Sequence, residues 1–200
     1  IPAFILAGDL MTKGGVSERL VNFSRALVGR ARGGLTYVSF ITCAFFAAIS
    51  GSSPATTAAV GSIMLPEMDK EGYPSDFSAA VQAVGGTLGI VIPPSISFVV
   101  YGNVTGVSTA KLLASGIIPG ILACLALCIY AYIASKKNNF PTGRIYSLKE
   151  KFQFFFAALG GLVMPVIILG GIYTGVFTPT ESAVVAAFYG LFAGLLIYRE

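Results

Sequence analysis

Phe45-Phe46-Ala47-Ala48-Ile49-Ser50-Gly51-Ser52-Ser53-Pro54-Ala55-Thr56 lies inside a run without a single Asp, Glu, Lys or Arg, residues 33–66. That run is too long for one membrane crossing, which needs about 20 mainly apolar residues. Its centre, Ser50-Gly51-Ser52-Ser53-Pro54, contains strong helix breakers. The pattern predicts two helical arms that turn back on each other. Each arm, at about 17 residues and 1.5 Å per residue, reaches roughly 25 Å, a little short of the hydrocarbon thickness. A re-entrant helical hairpin that enters and leaves on one side is therefore the expected form of residues 33–66.

Outward from the hairpin the same uncharged character recurs over residues 77–110, 112–135, 152–180 and 182–198. The first of these is interrupted by Pro93-Pro94-Ser95, which predicts a discontinuous helix over 77–103. Residues 112–135 read as a plain span ending at Lys136-Lys137, residues 152–173 as another, and 181–198 as a borderline return after a turn at 174–180. The chain is 55% hydrophobic and 11% charged, with a mean hydropathy of +0.81, against roughly 25% charged residues in soluble domains. The fold class is an all-α polytopic membrane protein.

The net charge of +4 does not point to nucleic acid. Basic residues cluster at 13–32 and 136–151, flanking apolar segments as the positive-inside pattern requires, and no aromatic-basic platform accompanies them. With both clusters cytoplasmic, an even number of crossings must separate them, so residues 33–66 contribute none, as a hairpin, or two, as a pair of short spans; the short arms favour the hairpin. Residues 16–30 place Val16, Leu20, Phe23 and Leu27 at helical spacing with Ser17 as a candidate N-cap, an amphipathic arm against membrane lipid at the cytoplasmic interface. Cys43, Cys124 and Cys128 sit in apolar runs and read as small buried hydrophobes. Ile1 opens the chain without a Met or a basic n-region, so the start is no signal peptide, and the chain reads as a fragment of a longer membrane protein.

Two broken helices in lipid call for a reason, because an unpaired backbone group there costs several kcal/mol unless it lines a cavity or is buried in protein. Half-helix N-termini suit anionic groups, and freed carbonyls suit a cation. The tip offers Ser50, Gly51, Ser52, Ser53, Pro54, Thr56 and Thr57; the second break offers Gly85, Gly86, Gly89, Pro93, Pro94, Ser95 and Ser97. Such oxygen-only donors fit sodium and not zinc, and the chain has no His. The glycines alone also fit close helix packing. Glu181 is expected to cap a helix start, with a buried ion-coupled carboxylate as the alternative.

The hairpin stretch quoted above, Gly85-Gly86-Thr87-Leu88-Gly89-Ile90-Val91-Ile92-Pro93-Pro94-Ser95, and Gly175-Val176-Phe177-Thr178-Pro179-Thr180-Glu181 together resemble the large membrane subunit of TRAP transporters, the tripartite ATP-independent periplasmic family. The likeness runs along nearly the whole chain. It implies an elevator-type fold of inverted repeats, of which this chain is a fragment. The implied division is a scaffold end and arm at 1–32, transport-domain elements at 33–110, a helix and basic loop at 111–151, and the start of the second repeat at 152–200. By similarity, carbonyls of Ser50, Gly89, Ile92 and Pro94 hold one sodium ion, and a small carboxylate such as a C4-dicarboxylate or sialic acid sits near Ser52, Ser53 and Ser95. The resemblance further implies a small Q-type membrane subunit, a periplasmic substrate-binding protein, and a bacterial inner-membrane location.

A non-transporting scaffold or assembly subunit is the alternative, and it would not need oxygen-rich breaks inside the membrane. An enzyme is not expected. Glu181 and Ser182 are adjacent on a helix and do not face each other.

Overall fold

A computed structural model describes residues 2–194, and turn and capping residues mark where its helices stop. α1 (Pro2–Lys13) is followed by α2 (Val16–Val28). Gly15 takes the N-cap of α2 in the left-handed region, so Ser17, the expected cap, is instead a buried residue within the helix. Val16, Leu20 and Phe23 are buried as their spacing predicts, whereas Leu27 is 51% exposed. Val21, Ser24 and Ala26 are buried in its place, because the covered face of α2 is set by α3 and α9.

α3 (Gly34–Ser50) and α4 (Ser53–Lys70) supply the two arms predicted over 33–66. The break between them is narrower than Ser50 to Pro54. Only Gly51, at φ 60°, and the extended Ser52 leave the helical region. Ser53 and Pro54 open α4, since a proline in the first turn gives up only an N–H that has no intrahelical partner. α4 also runs past Pro66, the expected end, to Lys70. The lost rung is tolerated because Met64 and Met68 are fully buried on either side of it.

The discontinuous helix is present as α5 (Ser75–Gly86), α6 (Leu88–Val91) and α7 (Ile96–Thr105), broken from Ile92 to Ser95 and slightly longer than 77–103 at both ends. α8 (Thr109–Asn138), α9 (Leu148–Tyr173) and α10 (Pro179–Phe192) follow. The α5–α7 stretch, α8 and α9 are each long and apolar enough to cross a membrane. Ile118, Leu122, Leu125 and Ile129 on α8 are exposed, as a lipid-facing surface requires. The far part of the return predicted over 181–198 lies outside the described residues.

α3 is the central element, contacted by α2, α4, α5, α6 and α8. Close approach of small residues permits this: a Cβ on Gly85 would sit 3.0 Å from Cys43 Sγ. Gln82 Nε2 donates to Ser39 Oγ at 2.8 Å, tying α5 to α3. At the base of the hairpin, Tyr73 stacks on Phe140 with ring centroids 4.3 Å apart. There too the Gly33 N–H donates to the Pro141 carbonyl at 2.8 Å, beside an isolated antiparallel bridge between Arg32 and Thr142. The three cysteines are free thiols. α1 packs along α10, and just past the ends of both a Cβ on Gly14 would lie 3.1 Å from the Gly194 Cα.

Candidate functional site

The two breaks predicted from separate parts of the sequence meet in space. The carbonyl of Gly51, in the hairpin break, accepts a hydrogen bond from the Ile96 N–H at the start of α7, at 3.0 Å. Gly51 fits for two reasons: its positive φ disfavours a side chain, and a Cβ would collide with the Pro94 carbonyl. Gly89 faces the same tip, with a hypothetical Cβ 2.6 Å from the Ser52 carbonyl oxygen and 2.7 Å from Thr56 Oγ1. Gly86 meets Thr57 and Ser53 in the same way. Close helix packing thus accounts for Gly85, while Gly86 and Gly89 bear directly on the tip.

Hydroxyls organise the tip internally. Thr56 Oγ1 donates to the Ser52 carbonyl at 2.8 Å, and the Thr56 N–H donates to the same oxygen at 3.0 Å. Ser50 Oγ lies 2.9 Å from Thr56 Oγ1, and the Ser52 N–H donates to Ser50 Oγ at 3.4 Å. Ser50 and Thr56 are buried; Ser52, Ser53 and Thr57 are partly covered, and Pro54 is exposed. In the second break Ser95 is fully buried. Its Oγ donates to the Ile90 carbonyl at 2.8 Å and accepts from the Phe98 N–H at 3.5 Å, capping α7.

Several main-chain oxygens stay outside this network. At the end of α3 the Ala47 carbonyl accepts from the Gly51 N–H, but among the described residues no main-chain N–H is donated to Ser50, Ile92 or Pro94 carbonyls. Three of the four expected cation-binding carbonyls therefore lack a main-chain partner, and Gly89 touches the tip between them. The N-termini of α4 and α7 open at the same place, where helix dipoles favour negative charge. Free carbonyl oxygens beside helix N-termini can hold a hard cation and an anionic group next to each other.

A cavity of about 260 Å³ adjoins the tip, lined by Ser50, Ser52 and Ser62 together with Asp9 and Thr12 of α1. The sequence reading did not single out Asp9. A lone carboxylate in the otherwise apolar stretch that opens the chain was the available signal.

Glu181 lies elsewhere, on the exposed start of α10. Its carboxylate accepts from the Thr178 N–H at 2.8 Å while Thr178 Oγ1 accepts from the Glu181 N–H at 3.3 Å, a reciprocal cap. The expected capping role is present, and the buried carboxylate alternative is not.

Comparison with known proteins gives the family. The family model described as the DctM component of the tripartite ATP-independent periplasmic transporter matches residues 1–200. The chain is 50% identical over its whole length to the C4-dicarboxylate TRAP transporter large permease protein DctM of Pseudomonas aeruginosa, covering 47% of that protein. It is 48% identical to the isethionate TRAP transporter permease protein DctMQ of Oleidesulfovibrio alaskensis, covering 32% of it. It is 38% identical to the sialic acid TRAP transporter large permease protein SiaM of Vibrio cholerae, covering 47% of it. The chain spans about half or less of the length of these relatives. A multi-pass helical membrane protein with two apposed helix breaks, matched end to end by this model, belongs to the DctM family of TRAP transporter large permease subunits.

Proposed function

We propose that the chain forms the first half of the transport site of a sodium-coupled symporter that imports small carboxylates across the bacterial inner membrane. Sodium is held by the carbonyls of Ser50, Gly89, Ile92 and Pro94, and the carboxylate sits beside it near Ser52, Ser53 and Ser95, at the N-termini of α4 and α7. The observation that carries this reading is the bond between the Gly51 carbonyl and the Ile96 N–H, which joins the two breaks and leaves unpaired carbonyls on both sides of it. A cation bridging those carbonyls stabilises the docked tip. Docking in turn completes the carboxylate site, so coupling follows from tighter substrate binding to the sodium-loaded state.

In this reading residues 33–110 move as a rigid transport unit in an elevator cycle, against a scaffold that includes residues 1–32. A periplasmic binding protein delivers the substrate, and a small Q-type membrane subunit braces the scaffold. The isethionate relative carries both letters in its name, DctMQ, which accords with such a partner. C4-dicarboxylates and sialic acid are the substrate classes to test first, since relatives are named for them.

The test is reconstitution of the full-length protein with its partner subunits in proteoliposomes. Uptake of labelled C4-dicarboxylate and sialic acid is measured with the cognate binding protein present and an inward sodium or potassium gradient. Uptake that requires sodium is expected. Equal uptake with potassium removes the coupling ion, and no carboxylate uptake under either gradient favours the scaffold alternative.

A further inference from the structure

The cavity beside the hairpin tip has a wall that the sodium-binding carbonyls do not use. α1 forms it, and it presents Asp9 and Thr12 to a space of about 260 Å³ that Ser50, Ser52 and Ser62 also line. Asp9 is the one acidic residue of α1, whose other residues up to Met11 are apolar or Gly. No described side chain forms a salt bridge with it. Asp9 is itself exposed, so its carboxylate is accessible to a cation entering this space.

The neighbouring hydroxyls are already oriented. Thr12 Oγ1 donates to the Gly8 carbonyl at 2.8 Å and Ser62 Oγ to the Ala59 carbonyl at 3.0 Å. With their protons committed to helix carbonyls, these oxygens keep lone pairs for an electropositive ligand. The donor set is all oxygen and carries one negative charge. A divalent ion calls for more carboxylates, and among the described residues no group of three or more His, Cys, Asp or Glu could hold a metal.

We infer that the α1 side of this cavity is a second cation subsite, taking one hard monovalent cation with Asp9 as its counter-charge and Thr12, Ser50, Ser52 and Ser62 as neutral oxygen donors. This subsite rests on the sodium-coupled reading of the tip, with which it shares Ser50. It would give the protein a charged cation position next to the uncharged carbonyl one, on an element outside the hairpin.

The experiment titrates NaCl against the thermal unfolding midpoint of the full-length protein with its partner subunits, with choline chloride holding ionic strength constant. The wild type is expected to gain stability with sodium. Asp9→Asn is expected to raise the half-saturating sodium concentration by about fivefold, because Asp9 is the one full charge in the donor set and it is exposed. Asp9→Glu, which keeps the charge, is expected to stay close to wild type. Superimposable wild-type and Asp9→Asn titrations overturn the subsite and leave the tip site standing. A wild type with no sodium response overturns the tip reading, and this inference with it. Should Asp9→Asn fail to fold, Thr12→Val removes one oxygen from the same wall without touching the charge. An upward shift in its sodium midpoint supports the subsite, and an unshifted midpoint overturns it.

Discussion

Replacing Gly89 with alanine places a methyl group where the chain has no room for one. The new carbon would lie 2.6 Å from the Ser52 carbonyl oxygen, whereas ordinary contact begins at 3.4 Å. Either the tip or α6 must therefore retreat by roughly 0.8 Å, and overpacking of this kind costs about 1–3 kcal/mol. The strain falls on the contact between α6 and the two-residue break. At that cost the docked tip becomes about 5- to 150-fold less populated. The displacement also exceeds the tolerance of about 0.5 Å within which a binding constellation works. Sodium-driven uptake by Gly89→Ala proteoliposomes is therefore expected to fall by about tenfold or more, with the half-saturating sodium concentration raised. The thermal midpoint should fall by less than the overpacking cost alone implies, because alanine is the better helix former by about 0.5–1 kcal/mol. Gly170→Ala on α9 provides the control: a Cβ there meets nothing within 4 Å, and uptake should be unchanged. Wild-type uptake and a wild-type sodium midpoint in Gly89→Ala would refute the placement of the ion at this contact.

Two further expectations concern residues away from the tip. Glu181→Gln should retain uptake, because glutamine serves equally in a reciprocal cap, and Thr178→Ala should lower stability by about 0.5–2 kcal/mol in a denaturation assay; loss of transport in Glu181→Gln would instead assign it to ion coupling. Arg25 Nη2 donates to Glu67 Oε2 at 2.8 Å, joining the arm helix α2 to the end of α4, and this bond holds the Glu67 carboxyl below its ordinary value of 4.5. A depressed folded-state value means the stabilisation is present above the ordinary value and is lost as pH falls through the lower, folded one. Both groups are partly exposed, so the pair is worth at most about 1 kcal/mol. The wild type should be slightly more stable than Glu67→Gln at pH 7, with the gap closing below pH 4.5; a gap that does not change with pH would count against the pair.

Helix breaks were legible in the sequence because they are written locally. Gly51 needs a positive φ, and Pro93-Pro94 removes consecutive donors, so both interruptions follow from short stretches. Their exact widths were not, since a proline in a first turn, such as Pro54, is compatible with helix, and Pro66 is carried by the packing of Met64 and Met68. Ser17 was misjudged for a related reason. A serine near a helix start suits a cap, but the left-handed Gly15 had already fixed the entry of the chain. Which breaks would meet is a property of tertiary packing. It depends on Gly86 and Gly89 seating against Ser53, Ser52 and Thr56, a complementarity between residues far apart in the chain. Asp9 belongs to the same class. Its place beside Ser50 and Ser52 is set by how α1 lies against the tip, which no periodicity within α1 encodes.

The Ile96 amide proton has a consequence for observing this protein at work. It leaves its own helix to reach the Gly51 oxygen, so its exchange with deuterated solvent is governed by whether the hairpin end is seated, and hardly at all by the fraying of α7. The chain thus carries a natural spectator of each tip opening, readable by deuterium uptake in mass spectrometry without any attached probe.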